Sequence, residues 1–333
     1  MAAQFGMGGT RWLGQFATGF PIDGELSQKE VFAKTASEGE LPDPVLIFRT
    51  AEARFRERAT KSGMENAGPL CEGALEQVGK GWLCAPVELA PSGQPEGFPK
   101  YGFNVTFRFG VEQAAKLRAC DDLKHGLTNT ACAVRTPIQL VSWGHLAQLC
   151  RRSCESSRGW ALLKADHVAA YKQLPLVPAG QAEAIIALRR PKSGKWYGFV
   201  SRALMFGDTA AVLHYSVFSR LVTALVNRLF GIPLICFFDD FAALIHRLLG
   251  SNALQVSTSF RSLLGIRLKP GKSEVGSRGT CLGLSGWFTG SDNEHTLHIS
   301  LPNEKRERLG PPCYRTFSVK AKSLTRNWGS WLE

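Results

Sequence analysis

The stretch Leu234-Ile235-Cys236-Phe237-Phe238-Asp239-Asp240-Phe241 is the most informative part of this chain. Apolar and aromatic residues run straight into two adjacent carboxylates, and apolar sequence resumes at once. A run this short after Pro233 predicts a buried strand rather than a helix. Burying two ionised carboxylates side by side is costly unless they are paired or bind a cation. We therefore expect Asp239 and Asp240 at the tip of a strand-turn-strand, where carboxylate oxygen would suit a divalent metal.

The acidic doublet also has a simpler explanation. Asp favours turns because its side chain bonds to nearby backbone groups, so a solvent-exposed hairpin tip would carry the same residues without any metal. On the doublet alone this simpler explanation is slightly favoured, and the remaining motifs have to distinguish the two.

Composition limits the class of protein. The 333 residues are enough for one large domain or two to three subdomains, and 44% hydrophobic with 20% charged residues is typical of a globular chain. The net charge of +12 favours a polyanionic partner such as nucleic acid, although a merely basic soluble protein would show it too. Nine scattered cysteines favour reduced thiols and an intracellular location, nuclear or cytoplasmic. We expect no membrane span and no secretory signal, since we find neither a long apolar run nor a basic leader.

A second acidic position follows another apolar run. Trp160-Ala161-Leu162-Leu163-Lys164-Ala165 predicts a strand that delivers Asp166, and a short turn then delivers Tyr171. Further on, Leu204-Met205-Phe206-Gly207 leads into a long predicted helix that stops just before the doublet strand. The chain therefore carries two acidic strand ends separated by a helix.

The preceding sequence predicts a hairpin. Residues 101–111 alternate aromatic with polar or small side chains, which indicates a strand. After a short turn, Lys116 and Arg118 would share one strand face and point towards one ligand. An ordinary exposed strand edge, where Lys is common, would give the same pattern. Upstream of this hairpin, Gly63 to Pro99 is rich in Pro and predicts a long connection or a domain boundary.

In their order and spacing, these segments resemble a reverse transcriptase of the retrotransposon type, over roughly residues 100–290. The matching segments are Asp166-x4-Tyr171-Lys172-Gln173-Leu174-Pro175-Leu176 for the first palm motif, Leu204-Met205-Phe206-Gly207 for the Leu-Pro-Phe-Gly loop, Phe237-Phe238-Asp239-Asp240 for the aromatic-x-Asp-Asp hairpin, Lys116-Leu117-Arg118 for the fingers strand, Lys272 for the later palm lysine, and Leu282-Gly283-Leu284 for the primer grip. Each segment is weak evidence alone, and their common order is what makes the resemblance specific.

The resemblance implies an α+β fold shaped as a right hand. Its palm would be a ferredoxin-like antiparallel sheet with helices, accompanied by fingers and a partial thumb. The implied division is an N-terminal extension with a loop-rich connection (1–99), fingers (100–160), a palm with an inserted fingers hairpin (161–290), and a partial or degenerate thumb (291–333).

The resemblance also implies a nucleotidyltransferase that adds dNTPs to a primer 3′-end on an RNA or DNA template. Two Mg²⁺ or Mn²⁺ ions, about 3.5–4 Å apart, would stabilise the attacking oxygen and the leaving pyrophosphate. Asp166 and Asp239 would bridge them, and Asp240 would be a weaker or outer ligand. Lys272 would protonate the pyrophosphate, unless it is only a solvated turn lysine.

The same resemblance assigns the substrate and primer contacts. Lys116 and Arg118 would neutralise the dNTP triphosphate. Phe206 and Gly207 would line the pocket for the base and sugar. A Tyr171 ring under the sugar would leave no room for a 2′-hydroxyl and so favour dNTPs, although Tyr171 as core packing remains an alternative. The primer grip would be Leu282, Gly283 and Leu284.

Three residues depart from the family pattern. Met205 stands in place of a proline, Asp208 puts a charge where the family is small or apolar, and His167 is large beside the metal aspartate. The leading hypothesis is an RNA-directed DNA polymerase. The alternative is a catalytically impaired relative that only binds nucleic acid, and a two-metal nuclease is a distant third that would need more acidic ligands. The oligomeric state is left open.

Overall fold

The computed structural model describes residues 11–26, 43–61, 66–98, 102–113, 116–135, 138, 140–153, 159–269, 271–281, 283–291, 294–309 and 316–320. The helices in these ranges are α1 Arg11–Thr18, α2 Pro44–Phe48, α3 Ala51–Lys61, α4 Ala67–Gly79, α5 Trp143–Ser153, α6 Thr209–Phe230, α7 Gly250–Leu263 and α8 Asn303–Leu309. The strands are β1 Gly24–Leu26, β2 Val87–Glu88, β3 Val105–Gln113, β4 Lys116–Asp121, β5 Cys132–Val134, β6 Trp160–Asp166, β7 Ile185–Arg189, β8 Trp196–Val200, β9 Leu234–Phe237, β10 Asp240–His246, β11 Glu274–Gly276, β12 Arg278–Cys281, β13 Leu284–Ser291, β14 Glu294–Ser300 and β15 Phe317–Lys320. The fold is therefore mixed α+β, as the sequence predicts.

The chain divides into two compact units. The first unit contains residues 1–138 and 169–217, and the second contains residues 139–168 and 218–333. The predicted division into extension, fingers, palm and thumb stays a prediction.

The first unit contains a five-stranded sheet in the order β2-β8-β7-β3-β4. Strands β3 and β7 are parallel, whereas the β3–β4 and β7–β8 neighbours are antiparallel hairpins. One face of the sheet packs on α3, where the Phe55 ring stacks on Phe107 at 5.5 Å and Trp196 meets Phe107 edge-on at 5.2 Å. Because this hairpin carries Lys116 and Arg118 on β4, the packing under β3 fixes the strand that presents them.

Helix α4 corrects one expectation. The segment from Gly63 to Pro99 was expected to be loop-heavy because of its Pro and Gly content, yet Ala67–Gly79 is helical. Pro69 lies in the first turn, where a helix has no acceptor for the missing N–H, so it does not break the helix. Leu70 and Ala74 are buried, and this tertiary packing outweighs the poor local propensity.

The second unit contains two antiparallel four-stranded sheets, ordered β11-β6-β10-β9 and β12-β13-β14-β15. Helix α5 and both sheets share one apolar core, in which Trp143, Leu162 and Leu297 are buried. Ser142 caps α5, since its Oγ accepts a bond from the Gly144 N–H at 3.2 Å. Strands β6 and β10 lie at the centre of the first of these sheets, so the two acidic strand ends are neighbours.

Helix α6 is long and apolar, although the sequence pattern did not indicate it as a membrane span. It is 22 residues long with an 18-residue window of mean hydropathy 1.4, enough to cross a membrane by length and composition. However, 67% of that window is buried inside the protein. A core helix meets the same criterion, so a single helix of this kind is weak evidence for a membrane span.

Candidate active site

The register of β6, β10 and β9 places the acidic residues. Asp240 is the Cα partner of Asp166 on β6 and of Phe237 on β9. Phe238 and Asp239 therefore form the turn, one residue earlier than the predicted Asp239-Asp240 tip, and Asp240 is the first residue of the returning strand. Directly paired residues on an antiparallel ladder point to the same face with Cβ atoms about 4.5–5.5 Å apart. The structure thus brings Asp166 and Asp240 together on one face, with Asp239 beside them in the turn.

The turn itself has an unusual backbone. Phe238 has φ 52°, in the left-handed region that residues other than Gly rarely adopt, at a cost of about 1–2 kcal/mol. Its ring packs edge-on against Phe237 with centroids 5.0 Å apart. Strained backbone of this kind is concentrated at functional sites, where the surrounding structure holds it in place. Here it holds Asp239 at the tip of the hairpin.

His167, which departs from the family pattern, belongs to the core of the second unit. As the residue after Asp166 it points to the opposite side, where it is fully buried with its ring 4.5 Å from Phe241. Arg261, also fully buried, donates from Nε to His167 Nε2 at 3.3 Å. Burial, and then the charge of Arg261, lower the pKa of His167 to about 3, so the imidazole is neutral. His167 therefore packs behind the acidic strand end and takes no position in front of it.

The Asp166 carboxylate already has a cation. Lys269 Nζ is 3.0 Å from Oδ2 and 3.2 Å from Oδ1, and Lys272 Nζ is 3.7 Å from Oδ2. The predicted general acid Lys272 is therefore next to a predicted metal ligand. No sequence pattern assigned a role to Lys269, three residues before Lys272. The antiparallel bridge between His167 and Leu268 shows that this segment runs beside Asp166.

The acidic residues match a divalent cation by chemistry but form an incomplete ligand set. Carboxylate oxygen is the donor that Mg²⁺ and Mn²⁺ prefer. Within the ranges the structure describes, no group of three or more His, Cys, Asp or Glu side chains is arranged to hold a metal ion. At Asp166, the Lys269 ammonium stands where a metal ion would bind. Asp166 and the hairpin aspartates thus have the donor chemistry for such an ion, which would have to displace the ammonium and draw the carboxylates together.

Three of the five predicted dNTP contacts lie together in the first unit. The Arg118 guanidinium lies 4.8 Å from the centroid of the exposed Phe206 ring, and the Tyr171 ring is 5.9 Å from Phe206. Tyr171 also packs edge-on against the buried Tyr215 at 5.1 Å. This contact orients the Tyr171 ring. The result is a row of one cation and two rings, the combination suited to a triphosphate, a base and a sugar.

Asn129 fixes the loop that carries Phe206 and Gly207. Its Nδ2 donates to the Gly207 carbonyl at 3.0 Å, and its Oδ1 accepts from the Thr209 N–H at 2.9 Å. Gly207 has φ 93°, which a larger residue would adopt only with strain. No sequence pattern indicated a role for Asn129, because it is 78 residues from Gly207.

Asp208, the second departure, caps helix α6. Its Oδ1 accepts from the Ala210 N–H at 2.9 Å, and the side chain is fully buried. Burial raises the pKa of Asp208 to about 7, against the lowering effect of the backbone bonds. Met205, the third departure, is buried and packs in the core. Each of the three departures thus has a structural role.

The remaining predicted contacts are placed only in part. Lys116 begins β4, but its side chain is not among the described parts of the structure. Leu282 lies outside the described residues. Gly283 has φ 72° in the turn before β13, and its carbonyl accepts from Lys305 Nζ at 3.1 Å. Leu284 packs against the core of the second unit, which is a structural contact.

Comparisons with known proteins do not establish the family of this chain. No family model matches the chain, and no curated protein matches it. Among the solved structures that match, a foamy viral protease–reverse transcriptase in complex with double-stranded DNA aligns with 14% identity and a TM-score of 0.49. The alignment covers 74% of this chain and 37% of that one, so the chain spans little more than a third of the length of that protein. Similarity of this extent leaves the family unassigned.

Proposed function

We propose that this chain is an RNA-directed DNA polymerase, a reverse transcriptase of the retrotransposon type that extends a primer with dNTPs on a nucleic-acid template. The observation that supports it best is the register that sets Asp166 opposite Asp240, with Asp239 in the adjoining turn. Two strands that deliver carboxylates to one face supply part of the ligand set that a divalent ion needs. The basic charge of the chain suits a template and primer.

Each unit would have its own part of the work. In the second unit, Asp166, Asp239 and Asp240 would hold two Mg²⁺ or Mn²⁺ ions, which when bound would stabilise the attacking oxygen and the leaving pyrophosphate. Lys272, with Nζ 3.7 Å from Asp166, would donate a proton to the pyrophosphate.

In the first unit, the nucleotide contacts would select the substrate. Lys116 and Arg118 would neutralise the triphosphate, and Phe206 and Gly207 would line the base and sugar pocket. The Tyr171 ring, held by Tyr215, would exclude the 2′-hydroxyl of an rNTP.

Primer extension tests this proposal. Oligo(dT) annealed to poly(rA) is incubated with dTTP and either Mg²⁺ or Mn²⁺, using the wild type, Asp239→Asn and the control Asp43→Asn. Asp43 caps α2 through a bond from the Val45 N–H at 2.9 Å, and Asn caps equally well, so the control removes the same charge without loss of the helix. We expect Asp239→Asn to lower the rate by about 100-fold or more, since a metal ligand contributes several kcal/mol. Equal rates for wild type and Asp239→Asn would refute the proposal.

One observation favours a second candidate, a catalytically impaired relative that only binds nucleic acid. Lys269 occupies both oxygens of Asp166, as a residue would that had replaced the ion permanently. Under this candidate, no variant extends the primer, while binding of the template–primer weakens steeply as salt is raised. Extension that depends on Asp239 would exclude it.

A further inference from the structure

The position of Lys269 is fixed by its backbone. The Lys269 N–H donates to the Asp166 carbonyl at 2.8 Å, and the Val168 N–H donates to the Arg267 carbonyl at 2.9 Å. Residues 267–269 therefore run antiparallel beside residues 166–168. The Cα of Lys269 stays next to Asp166 whether or not its side chain remains in contact.

The side chain of Lys269, in contrast, is able to leave. It is 40% exposed, whereas the Asp166 side chain is 10% exposed. A partly exposed ammonium gains little from an ion pair, because water solvates it nearly as well. The buried carboxylate gains more, since it has few water contacts to offset its charge. Lys269 is thus a weakly held cation on a carboxylate that needs one.

We propose that Lys269 is a tethered competitor for the divalent ion at Asp166, so that an ion binds there only by displacing the ammonium. Lys269 contacts both Asp166 oxygens, and an ion bound to either oxygen would lie within a few ångströms of a like charge. The lysine therefore lowers the affinity of the site for divalent ions and, in the ion-free protein, offsets the charge of the Asp166 carboxylate. This inference rests on the proposed function, because it takes Asp166 as a metal ligand.

The size of the effect follows from the charge and the exposure. Removing a unit charge a few ångströms from a divalent ion would strengthen binding by far more than tenfold in a dry interior. Because Lys269 is partly exposed and swings into water, we expect a gain on the order of tenfold.

Direct binding of Mn²⁺ tests the inference without any reference to catalysis. Free Mn²⁺ is measured by electron paramagnetic resonance during titration of the full chain at low ionic strength, with no nucleic acid or nucleotide present. The variants are Lys269→Met, Lys269→Gln, Lys269→Arg and Asp166→Asn. Lys305→Met is the matched control, since its exposed ammonium contacts the Gly283 carbonyl instead of Asp166.

We expect Lys269→Met and Lys269→Gln to bind Mn²⁺ on the order of tenfold more tightly than the wild type, whereas Lys269→Arg and Lys305→Met bind as the wild type does. Adding Asp166→Asn to Lys269→Met should abolish the gain. If Lys269→Met and Lys305→Met bind Mn²⁺ equally, competition by Lys269 is refuted and the proposed metal site stands. If Asp166→Asn leaves Mn²⁺ binding unchanged in every background, the metal site at Asp166 is refuted as well.

Discussion

The first unit should lose stability as the pH rises through neutrality, because two of its carboxyl groups, the buried Asp208 and the half-buried Glu183, have no cation partner among the residues that the structure describes. Burial, and then the negative charge of Asp23, raise the pKa of Glu183 from 4.5 to about 8. Burial raises the pKa of Asp208 from 3.8 to about 7. Burial also raises the pKa of Asp23, which adds to the same trend. The folded unit therefore keeps protons that the unfolded chain has already lost.

The sign and size of the effect follow from proton linkage. A raised carboxyl pKa gives stability that is fully present below the unfolded pKa and is lost as pH rises to the folded pKa. Each proton that the folded state holds in excess of the unfolded chain lowers the free energy of unfolding by about 1.4 kcal/mol per pH unit. Between pH 6.5 and pH 8, Asp208 and then Glu183 titrate. Because Glu183 is partly exposed and water screens its charge, we expect the free energy of unfolding to fall by about 2 kcal/mol.

Below pH 6.5 the fall should be shallower, because His214 acts in the opposite direction. Burial lowers its pKa from 6.5 to about 4, against the raising effect of its bond to the Pro21 carbonyl. The unfolded chain then binds the extra proton, so this group adds stability as pH rises from about 4 to 6.5. The steepest loss therefore belongs above pH 6.5.

Urea unfolding followed by tryptophan fluorescence, at pH 6.5 and pH 8, measures this loss. The comparison variant combines Glu183→Gln with Asp208→Asn, which removes both titrating groups while Asn keeps the cap on the Ala210 N–H. We expect the wild type to lose about 2 kcal/mol between the two pH values and the double variant to lose almost none. Equal losses in the two proteins would show that these carboxyls are not the protons concerned.

Three other changes test the fold and the site. Asn129→Ala removes both bonds from the amide to the loop before α6 and should lower the free energy of urea unfolding by about 1–2 kcal/mol. Asn129→Asp should lose less than the Ala variant, because it keeps the acceptor. No loss in the Ala variant would contradict this role. Leu163→Ala, at a fully buried site in β6, should lower the free energy of unfolding by about 3 kcal/mol. Leu263→Ala, at an 86% exposed site, should lower it by about 0.5 kcal/mol or less, and similar losses in the two variants would contradict the packing described. If the chain is a polymerase, Tyr171→Val should raise rNTP use relative to dNTP use by about tenfold in single-nucleotide extension, and an unchanged ratio would leave Tyr171 as core packing.

The local pattern of the sequence was sufficient for the acidic hairpin and its neighbours. The apolar run from Leu234 to Phe238, interrupted by two carboxylates and resumed at Phe241, predicts two strands and a turn, and the structure has β9, the Phe238-Asp239 turn and β10. The strand ending at Asp166 was likewise predicted from an apolar run, and the helix α6 from its start near Asp208 and its stop before Pro233. These elements are readable because the residues that define each one are contiguous in the sequence.

Contacts between distant segments could not be predicted in the same way. The bond between Asn129 and Gly207 joins residues that no periodic pattern links. The ion pair between Lys269 and Asp166 joins residues 103 apart, and it follows from the pairing of two short segments near Leu268. Lysines in a turn are usually solvated, so Lys272 was identified only by resemblance. Lys269, which has the closer contact with Asp166, was not identified.

The departures from the family pattern change meaning once their surroundings are known. His167 and Asp208 suggested decay of the site, but His167 packs on Phe241 behind the strand and Asp208 caps α6, so neither occupies the face that carries Asp166. A core substitution of this kind changes packing and leaves the carboxylates where they are. Lys269 is different, because it touches the carboxylate itself. The choice between a polymerase and a nucleic-acid-binding relative thus depends on whether a divalent ion displaces the Lys269 ammonium, and the Mn²⁺ titration measures that displacement directly.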